Sequence, residues 1–121
     1  MKRLTVYHYP KCSTCRNALK WLKERGYEID SIDIVSTPPS AADLERLIQL
    51  SGLDTRKFFN TAGEVYKTMK LKDKLPHMSE PEMVDLLAGN GRLIKRPIVT
   101  DGKKVTVGFK PSEFENIWQQ G

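Results

Sequence analysis

The sequence predicts an α/β fold with a mixed four-stranded sheet. A β-branched and aromatic run at residues 4–8, an amphipathic helical pattern and a second strand-like run at 27–34 follow one another, which gives two parallel strands. Near the other end, short apolar runs at 97–100 and 105–107 flank Asp101 and Gly102, a pair typical of antiparallel hairpins. The predicted order is βαβ, a helical insert and ββα.

Length and composition favour one globular domain. The chain has 121 residues, 39% of them hydrophobic and 29% charged, so we expect a single domain over 1–121 with a helical insert at about 38–92. The net charge is +5, but Lys and Arg are scattered over predicted helices that also carry Asp and Glu, and they form no basic face interleaved with aromatic residues. We therefore expect no direct nucleic-acid binding. No apolar run approaches about 20 residues, so we also expect no membrane span.

Local signals mark the helices. The first helix begins at Ser13 and stops near Gly26, and a second begins at Ser40 and ends at Ser51 and Gly52. Short helical patterns cover 54–70 with a break at 60–63. Capping-box patterns then predict two more helices, one at Ser79 with Glu82 and one at Ser112 with Glu115. With the strands, this order is that of a thioredoxin-like fold.

Cys12 and Cys15 are the strongest functional signal. The two cysteines are three residues apart, directly after a predicted strand and at the start of a predicted helix. Unpaired N–H groups and the helix dipole, with Lys11 and Arg16 nearby, are expected to lower the pKa of Cys12 and make it the nucleophile. Cys15 lies one turn further on the apolar side, as expected of a resolving cysteine. With neither a membrane-spanning run nor a signal-peptide core at the start of the sequence, we expect a cytoplasmic location, where such a cysteine pair is more often catalytic or metal-binding than structural.

Other interpretations of the cysteines stay open. Both thiols are small enough to be ordinary core residues. A zinc site needs four ligands, which His8 and His77 would have to complete, so we expect no metal and no cofactor. His8, four residues before Cys12, either tunes the thiolate or satisfies local hydrogen bonds.

Four segments resemble the family of arsenate reductases (ArsC) and Spx proteins: 7–19 (YHYPKCSTCRNAL), 37–39 (TPP), 95–99 (KRPIV) and 108–113 (GFKPSE). The resemblance implies a thioredoxin-like fold with a helical insert, Cys12 as the nucleophile, Arg96 beside it, and a cis peptide bond before Pro97. Glutaredoxin-coupled arsenate reductases of this family use three arginines around the oxyanion. Here Arg96 matches one of them, and Asn60 and Lys110 occupy the other two positions.

These matches imply an ArsC-like thiol-dependent oxidoreductase that is reduced by thioredoxin or by glutaredoxin and glutathione. Catalysis is assigned to Cys12, Cys15 and Arg96. Asn60 lacks a guanidinium and Lys110 offers a single ammonium group, so arsenate is expected to bind less well than to three arginines. The residues expected to contact a substrate are His8, Ser13, Thr14, Arg16, Asn60, Pro97 and Lys110.

The second cysteine also resembles the Spx branch. Its members switch through a Cys-x-x-Cys disulfide and contact RNA polymerase rather than DNA, which implies the RNA polymerase alpha subunit as an alternative partner. Asp54 stands where that branch has a glycine in the polymerase contact, and a charge there is costly to bury. The substrate, the electron donor, the oligomeric state and the resting redox state are not encoded in any motif.

Overall fold

The structure, a computed structural model, describes residues 3–118 and divides the chain into two compact units. The first unit joins the two ends of the chain, residues up to 33 and from 96 onward. The second unit is continuous and comprises Ile34–Lys95, slightly more than the predicted insert. That the two units make up a single domain stays a prediction.

The first unit contains a mixed four-stranded sheet. Its strands are β1 (Arg3–His8), β2 (Glu28–Asp33), β3 (Ile98–Thr100) and β4 (Val105–Val107), arranged in the order β2-β1-β3-β4. β1 and β2 are parallel, whereas β3 pairs antiparallel with both β1 and β4. The predicted βα crossover and the Asp-Gly hairpin are therefore both present.

Two helices complete the first unit, α1 (Ser13–Glu24) and α6, the last helix of the chain (Pro111–Ile117). They share one apolar core with the sheet, in which Trp21 and Phe114 meet edge to face with ring centres 5.4 Å apart. The Trp118 indole N–H donates to the Thr106 hydroxyl at 3.0 Å, and the Tyr27 hydroxyl donates to the Trp118 carbonyl. These hydrogen bonds satisfy polar groups that would otherwise be buried in the core without a partner.

The start of α6 differs from the prediction. The helix begins at Pro111 with Lys110 as its N-cap and without a side-chain cap, so Ser112 lies inside the first turn and the predicted capping box with Glu115 is wrong. The reason is that a proline ring fixes φ near the helical value and lacks the N–H that the first turn leaves unpaired. Proline at the first position therefore outweighs the serine pattern.

The second unit is helical. It contains α2 (Ala41–Ser51), α3 (Glu64–Thr68), α4 (Leu71–Lys74) and α5 (Glu80–Gly89), with 3-10 turns at Thr55–Phe58, Leu75–His77 and Gly91–Leu93. The predicted capping box is confirmed at α5, where Ser79 and Glu82 bond reciprocally. None of the helices within residues 3–118 is both long and apolar enough to cross a bilayer.

Candidate active site

Cys12 is the N-cap of α1. Its backbone is extended, its N–H donates to the Tyr9 carbonyl at 3.0 Å, and its own carbonyl accepts the Arg16 N–H at 3.1 Å. Cys12 thus ends the turn after β1 and opens the helix. An N-cap side chain lies beside the unpaired N–H groups of the first helical turn, which favour a negative charge. The thiol is partly exposed and not in a disulfide.

The surroundings of Cys12 favour its anion. Partial burial raises the pKa of the Cys12 thiol, but hydrogen bonding from the backbone N–H and the thiol of Cys15, together with the hydrogen bond and charge of Arg96, outweighs it. The pKa of Cys12 is therefore below its ordinary value. This is the environment expected of a thiol that reacts as a thiolate near neutral pH.

Cys15 has the opposite environment. It occupies the third position of α1 and is 0% exposed. Burial, with the hydrogen bond and charge of the neighbouring Cys12 sulfur, raises the pKa of Cys15 to about 12, against the opposing effects of the Tyr9 N–H and the Arg96 charge. Cys15 therefore remains protonated near neutral pH, whereas Cys12 ionises more readily than an ordinary thiol.

The pairing of β1 with β3 brings Arg96 close to Cys12. The antiparallel pairing of β1 with β3 aligns Tyr7 with Ile98, so the residues before Ile98 run alongside the turn that carries the cysteines. The Arg96 guanidinium carbon lies 5.1 Å from the centre of the Tyr9 ring, a cation–π contact that orients the side chain. The peptide bond between Arg96 and Pro97 is cis, as the family resemblance implied.

Five of the residues assigned to substrate contact lie in β1, in α1 or next to Arg96 in the chain. His8 is the last residue of β1 and pairs with Asp33 of β2. Ser13, Thr14 and Arg16 are exposed in the first turns of α1, and Arg16 donates to the Pro10 carbonyl at 3.0 Å. Pro97, buried next to Arg96, is the fifth.

The last two residues assigned to substrate contact are Lys110, in the first unit, and Asn60. Lys110 is exposed at the start of α6, and within residues 3–118 its side chain forms no ion pair. Asn60 belongs to the second unit, where its N–H donates to the Leu93 carbonyl at 2.7 Å. Substrate contact by either residue stays a prediction.

Sequence reasoning missed Tyr9. This residue accepts the Cys12 N–H, supplies an N–H that acts on the Cys15 sulfur, and carries the ring under Arg96. Its position directly before Pro10, in the turn that leads to Cys12, is the signal that could have identified it, since backbone groups of such a turn lie close to the residue that follows it. Among residues 3–118 no cluster of three or more His, Cys, Asp or Glu side chains forms a candidate metal site.

Comparison with known proteins identifies the family. The YusI protein of Bacillus subtilis is 58% identical over 95% of this chain and 98% of its own length, and the global transcriptional regulator Spx of Streptococcus pyogenes is 28% identical over 92% and 81%. An ArsC family related protein from Bacteroides fragilis has a TM-score of 0.91 at 50% identity over 96% of this chain and 97% of its own.

Arsenate reductase from Vibrio cholerae has a TM-score of 0.85 at 32% identity, covering 96% of this chain and 98% of its own. These neighbours share the thioredoxin-like fold, which confirms the predicted fold class. The ArsC family model matches residues 7–117, a range that includes both cysteines, Arg96 and Lys110. The chain therefore belongs to the ArsC family.

Proposed function

We propose that this protein is a thiol-disulfide oxidoreductase in which Cys12 is the nucleophile and Cys15 the resolving cysteine. The Cys12 thiolate attacks one sulfur of a substrate disulfide, forms a mixed disulfide and expels the other sulfur as a thiolate. Cys15 then loses its proton and attacks the Cys12 sulfur. This second step releases the reduced substrate and leaves a Cys12–Cys15 disulfide, so two electrons pass from the protein to the substrate.

The observation that carries this proposal is the contrast between the two thiols. Cys12 is partly exposed and its pKa is lowered, whereas Cys15 is buried and its pKa is raised to about 12. An exposed thiolate is free to meet a substrate. A buried neutral thiol reacts only with a sulfur already held beside it, as a resolving cysteine must.

The coupling between the cysteines also orders the two steps. The Cys12 sulfur raises the pKa of Cys15 through a hydrogen bond and through its charge. When Cys12 is bonded in a mixed disulfide, that negative charge is gone and the pKa of Cys15 falls. Cys15 therefore becomes a better nucleophile only after Cys12 has captured the substrate.

The donor that restores the dithiol is proposed to be thioredoxin or glutaredoxin with glutathione, reductants that keep cytoplasmic thiols reduced. A cytoplasmic location is part of this proposal. Arg96, held over Tyr9, would stabilise an anionic group at Cys12. Asn60 and Lys110 lack the guanidinium groups that arginines would supply at these two positions, so a disulfide is favoured over arsenate as the substrate.

Trapping of the mixed disulfide tests the mechanism. We expect wild type to reduce glutathione disulfide, oxidised insulin or arsenate when a thioredoxin or glutaredoxin system is supplied, and Cys12→Ser to lose all turnover. Cys15→Ser should accumulate a Cys12-bound mixed disulfide visible as an added mass, and Cys15→Ala is its matched control. Absence of turnover on every substrate, or mixed disulfide formed equally on the Cys12→Ser variant, would reject the proposal.

A second candidate function is a redox-sensing regulator that binds the RNA polymerase alpha subunit. It is supported by the regulator Spx, which matches 92% of this chain, and by a cysteine pair suited to a reversible disulfide. Asp54 opposes it, because its carboxylate is engaged by Arg56 through bonds of 3.1 and 3.2 Å and adds a charged pair where the Spx branch has glycine.

Binding to the isolated alpha subunit decides between the functions. The reduced protein, the oxidised protein and the Asp54→Gly variant are compared by pull-down, with Lys103→Ala as a surface control. The regulator function predicts binding that depends on the oxidation state and strengthens in Asp54→Gly. Absence of binding in all forms rejects it and leaves the oxidoreductase.

A further inference from the structure

The exposed face of α1 is strongly cationic. From Cys12 to Lys23 the chain contains three basic residues and no Asp or Glu. Surface helices ordinarily interleave both signs, because like charges three or four residues apart destabilise a helix. Arg16, Lys20 and Lys23 have this spacing, and Glu24, four residues after Lys20 at the end of α1, is the one acidic residue of the helix.

These three cations lie on the same side of the helix as the nucleophile. At 100° per residue, Cys12, Arg16, Lys20 and Lys23 fall within a sector of about 80°, while the buried residues of α1 occupy other directions. With a rise of about 1.5 Å per residue, Lys20 is about 12 Å and Lys23 about 16 Å from Cys12 along the axis. We call this row of side chains, Arg16, Lys20 and Lys23, the cationic strip.

The cationic strip is available to a partner. Arg16, Lys20 and Lys23 are exposed, and none forms an ion pair with another residue in 3–118. The strip borders a groove of about 360 Å³ whose remaining lining residues are Leu19 and Glu24. Leu19 is only partly buried and supplies an apolar floor. Arg16 is fixed against the Pro10 carbonyl, which connects the strip to the turn that carries Cys12.

We propose that the cationic strip is the docking surface for a protein whose disulfide is followed by acidic residues. This rests on the proposed function and specifies its substrate class. A partner segment that runs from the sulfur bonded to Cys12 along α1 would bring carboxylates spaced about 12–16 Å from that sulfur to Lys20 and Lys23. Charge complementarity selects such a partner and increases the rate of encounter.

Disulfide-linked dimers of three designed peptides test the proposal on the Cys15→Ser background, where only the first attack occurs. Each peptide has one cysteine followed by three Gly residues and a pair of Glu, Gln or Lys. In an extended peptide, positions four and five residues from the cysteine reach about 13–17 Å, the span from Cys12 to Lys20 and Lys23. The rate of mixed-disulfide formation is followed by acid quenching and mass spectrometry.

We expect the Glu peptide to react about tenfold faster than the Gln peptide at low salt, with the Lys peptide slowest and the preference reduced at high salt. Lys20→Glu with Lys23→Glu should bring the Glu-to-Gln ratio to about one or below. The matched control, Lys67→Glu with Lys103→Glu, changes the net charge equally at exposed sites outside α1 and should keep the preference.

The outcomes separate the two proposals. If no peptide reacts, the oxidoreductase function fails. If all peptides react at one rate, or if the α1 variant and its control lose the preference equally, the docking surface is rejected while the oxidoreductase function stands. Binding of duplex DNA that the α1 variant abolishes, with no charge preference among peptides, would assign the strip to nucleic acid and also overturn the proposal.

Discussion

Limited alkylation of the reduced protein with iodoacetamide at pH 7 should modify Cys12 and leave Cys15 almost untouched. Only thiolates react, so the rate follows the fraction of each thiol that is ionised. A pKa of about 12 makes Cys15 about 0.001% thiolate at pH 7, whereas an ordinary thiol with a pKa near 8.5 is about 3% ionised. Ionisation alone therefore slows Cys15 about three-thousandfold relative to an ordinary cysteine, and its complete burial slows it further.

Cys12 should be faster than an ordinary cysteine below pH 8. Its pKa is lowered by Cys15 and Arg96 against the effect of partial burial, so its pH-rate profile should reach half-maximum at a lower pH than that of a model thiol. Arg96→Gln removes the charge and the hydrogen bond of the guanidinium. The half-maximum of that variant should therefore move to higher pH.

Mass spectrometry of the digested protein measures both rates. Cleavage after Lys11 and Arg16 places both cysteines in the peptide 12–16, and fragment ions then assign the label. Labelling in denaturant, where the two sites should react alike, is the control. If Cys15 is labelled within about tenfold of Cys12 in the folded protein, the proposed asymmetry of the two thiols is wrong.

Two further predictions concern stability. Gly91→Ala places a Cβ only 1.9 Å from the Ile34 carbonyl oxygen and should lower the free energy of unfolding by about 3 kcal/mol or more. Gly89→Ala, whose Cβ has nothing within 4 Å, should instead raise the free energy of unfolding by about 0.5–1 kcal/mol by stabilising the last turn of α5. Urea unfolding measures both changes, and changes of the same sign would contradict this description of the packing. Because the pKa of folded Cys12 is lowered, the stability it contributes is complete above the ordinary thiol pKa near 8.5 and is lost as the pH falls through the folded value. The free energy of unfolding of reduced wild type minus that of Cys12→Ser should thus increase with pH, and a decrease would refute this linkage.

Most of the fold follows from local signals. The Asp-Gly hairpin and the capping box at Ser79 need only a few neighbouring residues, and both are present. The same capping pattern failed at Ser112 because Pro111, one residue earlier, is better suited to the first helical position. A short pattern therefore predicts a helix more reliably than it predicts the first residue of that helix.

The site residues likewise differ in whether local sequence is enough to predict them. Cys12 and Cys15 could be predicted because strand, turn, helix cap and both thiols lie within one short stretch of sequence. The contact of Arg96 with Tyr9 depends on the pairing of β1 with β3, which joins distant parts of the chain. Family resemblance supplied Arg96 as a residue beside Cys12, but no local pattern indicates the tyrosine that orients it.

The spacing of the two cysteines explains why the proposed nucleophile and the proposed resolving cysteine have opposite environments. Among the first four residues of α1, Ser13, Thr14 and Arg16 are exposed and only Cys15 is buried. A second cysteine one position earlier or later would therefore be a second exposed thiol, open to substrate and to alkylation. At the third helical position the backbone N–H helps to lower the pKa of Cys12, while the side chain is buried in the core. Cys15 thus favours the anionic form of Cys12, while its own thiol stays buried beside it, as the proposed mechanism requires.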